Sequence, residues 1–129
     1  MALGYATTLR NAQLDAITTA VGNAGKLQIY DGTRPATGGT ATNKLAEFTL
    51  GTPFASAAAA GVLSPTLPSN VTALLTGTAT WYRITTSAGG FVMDGSAGTS
   101  GTDLILNSAS ISSGATVSIT AHTISAGNA

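Results

Sequence analysis

The chain has 129 residues, with 5 Lys+Arg against 5 Asp+Glu, one histidine and no cysteine. That is the material of one domain, and zero net charge without a basic cluster argues against nucleic-acid binding, which relies on Lys and Arg to displace counterions. Absence of cysteine removes disulfide frameworks, cysteine metal sites and thiol catalysis, and so few proton-moving groups disfavour any enzyme.

The opening segment has no basic start followed by an apolar run, so no secretory leader is expected. A helix is predicted from about Thr8 to Val21, because Leu14, Ile17 and Val21 recur at spacings of three and four. Thr7 or Thr8 can cap its start, and Gly22 or Gly25 can supply a left-handed stop. Arg10, Asn11, Gln13 and Asp15 fall largely off the stripe. The adjacent Thr18 and Thr19 weaken its propensity, so it needs a surface to pack on, its own sheet or a partner.

After Gly25 the period changes to two. Leu27 and Ile29 alternate with Gln28 and Tyr30 until Asp31-Gly32 breaks the strand. A turn-rich loop from Thr33 to Asn43 follows, with Arg34-Pro35 and Gly38-Gly39. Ala46, Phe48 and Leu50 alternate next, and Pro53 with Ala57–Ala60 makes a short-helical or irregular connection. Val62 to Leu67 reads as a strand that Pro65 confines to a sheet edge. Val71 to Thr86 reads as a long strand or a hairpin hinged near Gly77. Phe91 to Asp94 is a short strand ending at Asp94-Gly95, and Leu104 to Leu106 is an apolar run. The last strand, Ala115 to Ile124, points Val117 and Ile119 inward and Ser118, Thr120 and His122 outward.

From Phe48 to Tyr82 there is no charge, but Pro53, Pro65, Pro68 and repeated threonines prevent a continuous membrane helix. Short strands separated by glycine turns predict a mainly β chain, an antiparallel β-sandwich or jelly roll of about seven to eight short strands with one N-terminal α-helix. A single domain is expected, 1–24 helical and 25–129 sandwich, with no internal repeat. Low charge leaves two accounts of the surface: hydroxyl groups keep it wet, or an assembly covers much of it.

Catalytic and binding motifs fail one by one. Gly25-Lys26 is no phosphate loop, since Ala20 replaces the first glycine, Leu27 follows the lysine and the helix lies on the wrong side. The lone His122, facing outward by period, reads as a surface imidazole in a threonine-rich row and not as the base of a serine hydrolase site. Asp31 and Asp94 precede glycine, where an Asp-Gly turn explains them. A calcium site from these two with Asp103 lacks ligand spacing. Asn70-Val71-Thr72 fits the glycosylation acceptor pattern, which has no meaning without secretion. Trp81 and Arg83 share one face of a strand and Tyr82 takes the other. A sugar-binding platform is one reading of this trio. A central strand with Trp81 in the core explains it better, and Arg83 then needs Glu47 or Asp94 as an acceptor.

The strings LRNAQLDAITTAVG (9–22), GKLQIYDGTRPATGG (25–39), LAEFTLGTPFA (45–55), GTATWYRITTSAGG (77–90) and ISAGNA (124–129) resemble a family of small virion structural proteins of tailed bacteriophages. The resemblance runs through nearly the whole chain in order. It implies a capsid decoration, or cement, protein on the capsid exterior, assembled in the bacterial host cytoplasm. Its expected partners are the major capsid protein and further copies of itself, as a homo-oligomer and often a trimer; a tail or fibre component, or a glycan-binding module displayed on the virion, is the alternative. The resemblance brings no catalytic residue, cofactor or metal. Contact with the capsid or a sister subunit is expected from the N-terminal segment through the Asp31–Gly39 loop, on Tyr5, Leu9, Arg10, Asp31, Arg34 and Pro35. The marginal helix and the Arg34-Pro35 pair in a charge-poor loop motivate that choice.

Overall fold

The Leu14–Ile17–Val21 stripe does form one side of a helix, α1 (Thr7–Val21), with Leu14 and Val21 buried and Ile17 packed against the core. A computed structural model of the chain describes residues 4–125; residues 1–3, and 126–129 at the end of the ISAGNA string, lie outside the described residues. Neither expected threonine caps the helix: Ala6 is the N-cap, with no side-chain hydrogen bond. Gly22 does stop it, at φ 70°, its N–H donating to Thr18 O. The surface that α1 needs lies within its own chain. Asn11 accepts a hydrogen bond from Gly61 N–H (2.9 Å) and Asp15 accepts one from Ala58 N–H (2.7 Å), so residues off the apolar stripe fasten the helix to the 57–62 turn.

Twelve strands follow, five more than the lower expectation, because several predicted strands break into two-residue pieces. They are β1 (Lys26–Tyr30), β2 (Lys44–Thr49), β3 (Val62–Leu63), β4 (Val71–Thr72), β5 (Gly77–Thr78), β6 (Trp81–Thr85), β7 (Phe91–Gly98), β8 (Leu104–Leu106), β9 (Ser110–Ile111), β10 (Thr116–Val117), β11 (Ile119–His122) and β12 (Ile124–Ser125). The chain is mainly β with one N-terminal helix, as expected. Six strands make the central sheet in the order β11-β8-β7-β6-β1-β2, and three two-stranded ladders pair β4 with β10, β3 with β12 and β5 with β9. One pairing departs from the antiparallel expectation, since β7 and β8 run parallel.

Register sorts the central strands into two faces. Leu27 lies opposite Phe48 and Ile84, and Ile29 opposite Ala46 and Tyr82; all six are buried in the main core. On the reverse face Gln28 lies opposite Glu47 and Arg83, and Tyr30 opposite Trp81. Trp81 is therefore buried, as expected of a central strand, but on the side away from the main core, stacked on Tyr30 at 4.4 Å between ring centroids. Arg83 selects Asp94 of the two candidate acceptors, at 2.7 Å.

Three local expectations are corrected. Val62–Leu67 is strand only at Val62–Leu63, with Pro65 joined to Ala55 by an isolated bridge at the margin. Asp94-Gly95 is no turn: β7 continues to Gly98, because Gly95 lies under the Tyr82 ring, where a Cβ would come within 2.5 Å of Cε1. His122 does not face outward; it is 5% exposed. Pairing in β11 jumps from Ile119–Leu106 to Ala121–Ile105, leaving Thr120 as an extra residue, and that bulge reverses the alternation so that His122 turns inward.

Candidate functional site

Two surfaces stand out, and the first is the loop 31–43 that carries half of the expected contact residues. Its base is closed by one residue. Asp31 accepts hydrogen bonds from Asn43 N–H and Asn43 Nδ2 through its carboxylate, its own N–H donates to Asn43 O, and its carbonyl accepts from Thr42 Oγ1 and Trp81 Nε1. Those bonds from Asn43, side chain first, hold the Asp31 carboxyl below its ordinary range.

The far side of the loop is pinned to the sheet. Arg83 Nη2 donates to Gly39 O at 2.8 Å, and Gly38 N–H donates to Asp94 Oδ2 at 3.2 Å. The guanidinium itself is clamped between the Trp81 and Phe91 rings, 5.2 Å from each centroid. Its hydrogen bonds to Asp94 keep its pKa above the ordinary arginine value. A loop tied at both ends in this way presents Arg34 to solvent on a fixed frame. Beside it the half-exposed Glu47 takes hydrogen bonds from Lys44 (2.9 Å) and Gln28 (3.0 Å), which lower its pKa, while Gln28 accepts one from Tyr30 Oη.

The expected contact residues fall in two places. Tyr5, Leu9 and Arg10 stand at the start of α1, and Asp31, Arg34 and Pro35 in the loop. Leu9 is 47% exposed and Arg34 is exposed, whereas Tyr5, Arg10, Asp31 and Pro35 are half-buried. Arg10 lies over Gly61, its guanidinium where a Cβ on that glycine would stand, so it helps seat the helix. Asp31 acts as a brace inside the loop.

The second surface was missed by pattern reading. Residues 71–79 run alongside 109–117 as one ribbon, through β4–β10, β5–β9 and hydrogen bonds such as Ala73 N–H to Ala115 O and Ser113 N–H to Thr76 Oγ1. Every strand of the three small ladders comes from the segments 48–82 and 104–125, which hold no Asp, Glu, Lys or Arg. Leu74 and Leu75 project from this ribbon at 52% and 47% exposure, and Leu67 nearby in sequence is 43% exposed. Leu74 and Leu75 occupy a bend between β4 and β5, which turns both side chains outward.

Comparison of the chain with protein-family models, curated proteins and solved structures gave no match.

Trp81 is 1% exposed, with one ring face on Tyr30 and Arg83 also against it, so it offers no open face on which a sugar could stack. Among the described residues no cluster of three or more metal-ligating side chains is present, and no helix is long and apolar enough to cross a membrane. A cavity of about 140 Å³ opens between Tyr82, Met93, Asp103 and the segment Thr123–Ser125. One of its lining residues, Tyr82, meets the buried His122, whose Nε2 lies 3.0 Å from Tyr82 Oη.

Proposed function

We propose that this chain is a bacteriophage virion structural protein, a capsid decoration (cement) protein that binds the outer capsid surface and stabilises the shell. The observation that carries the proposal is the charge-free ribbon 71–79/109–117 with its exposed Leu74–Leu75 pair. A surface of this kind can be covered permanently without stranding an ion, whereas burying an unpaired charge is costly. Apolar contact then acts in proportion to the area covered. The braced loop 31–43 supports the same reading, because a contact element that is already ordered loses little entropy on docking. Several such contacts from one oligomer combine through effective concentration, which is how many weak joints stiffen a shell. The resemblance of the sequence to small virion proteins points the same way.

The test is addition of the purified chain to capsids stripped of it, followed by sedimentation and electron microscopy. Saturable, regularly spaced density on the head is the expected result. Density confined to the tail, or co-sedimentation that Leu74→Ser/Leu75→Ser and Arg34→Ala both leave untouched, overturns it.

A further inference from the structure

We propose that His122 is an acid-sensitive latch: protonation of its buried ring frees β12 from β3 and thereby loosens the seat of helix α1. The geometry places the ring at a junction. Nε2 meets Tyr82 Oη at 3.0 Å, and the imidazole stands edge-on to both Tyr82 and Phe54, with centroids 5.3 and 6.4 Å away. His122 ends β11, opposite Leu104 of β8. Two residues later Ile124 and Ser125 pair with Leu63 and Val62 of β3. β3 follows the turn whose Ala58 and Gly61 N–H groups are held by Asp15 and Asn11 of α1. Ring, clip and helix are thus linked by two residues of chain, the β12–β3 pairing and the hydrogen bonds of the 57–62 turn.

Few groups oppose or favour a charge at this ring. Tyr82 on β6 is a buried phenol whose own pKa is raised by burial. Leu104 on β8, Phe54 and all of β3 and β12 bring no ionisable side chain. Among the described residues Asp103, just before β8, is the charge felt by the ring and favours its protonation, while itself accepting from Ser96 N–H and Oγ, both at 3.1 Å. Burial outweighs it and pushes the imidazole down to about 4. The cavity lined by Tyr82, Asp103 and Thr123–Ser125 leaves room for the strand end to shift.

A freed, hydrated histidine titrates near 6.5, so the open form binds the proton and the closed form excludes it. The opening constant then rises about tenfold for each pH unit lost between 6.5 and 4, reaching about 300-fold. Residue-resolved amide exchange on the whole chain from pH 7 to pH 4, corrected for intrinsic rates, reads this at Leu63 and Ile124. The wild type is expected to open along that slope, Asp103→Asn to keep the slope, and His122→Gln, which retains an acceptor for Tyr82 but cannot titrate, to stay flat. A flat wild type, or an equal rise in His122→Gln, overturns the proposal. Should that variant fail to fold, the imidazole nitrogen shifts of the wild type decide: a ring that titrates near 6.5 with β12 still protected also overturns it.

Discussion

Tyr82 and Gly95 face each other across β6 and β7, and the phenol ring fills the space that a side chain at position 95 would need. A Cβ there would come within 2.5–2.8 Å of Cε1, Cζ and Oη. Gly95→Ala is therefore expected to lower stability by about 1–3 kcal/mol through overpacking. It should also displace the Tyr82 hydroxyl from His122, so denaturant unfolding and the His122 ring shifts should change together.

Arg83 binds the loop and the sheet at once. Lysine in its place keeps the charge but loses the planar fork that reaches both Asp94 and Gly39. Arg83→Lys should cost about 1.5–3 kcal/mol, the range for a hydrogen bond to a charged group. Faster amide exchange is expected at Gly38, whose N–H bonds the same carboxylate. An unaltered loop with lowered global stability would assign Arg83 to packing alone.

The Thr18 hydroxyl on α1 is buried with no hydrogen-bond partner among the described residues. Thr18→Val exchanges that hydroxyl for a methyl of nearly the same shape and a similar helix propensity. Thermal unfolding is expected to move upward, by the equivalent of about 1 kcal/mol.

Acid acts on this chain in two separate windows. His122 is depressed to about 4 from an unfolded value near 6.5, so the unfolded chain holds more protons between those limits. Stability then falls as pH drops through that interval, by about 3 kcal/mol in total, and is unchanged by this group below it. Glu47 and Asp31 are shifted downward, so what they contribute is present above the ordinary carboxylate range and is lost as pH falls below it. Urea titrations at a series of pH values should show the first loss disappear in His122→Gln and persist in Glu47→Gln.

Leu74→Ser/Leu75→Ser should fold normally, because both side chains are about half in solvent already. The expected loss is in association with stripped capsids, read by co-sedimentation, with the circular dichroism and melting point retained.

Helix α1, the core-facing alternation of β1 and the Asp31-Gly32 break were legible because each is set by residues close in sequence. Trp81–Tyr82–Arg83 was legible as a central strand with two opposed faces. What pattern could not give was the effect of an extra residue. At Thr120 one unpaired position inverted the alternation, and at Leu45 another put consecutive side chains inside. Gly95 resembles a turn glycine until the ring above it is seen. The charge-free ribbon was hidden differently, since 71–79 and 109–117 are far apart along the chain and meet only through long-range pairing. Of the expected contact residues, Arg34 and Leu9 are exposed, whereas Asp31 and Arg10 are engaged within the chain itself.

The absence of Asp, Glu, Lys and Arg from the 71–79/109–117 ribbon itself fixes how a contact made by its side chains should respond to the medium. A joint formed by the ribbon's own side chains has no Coulomb attraction to screen, so raising ionic strength has little to weaken. Excluded salts such as sulfate would tighten it, and cooling would slacken it, as apolar burial loses strength at low temperature.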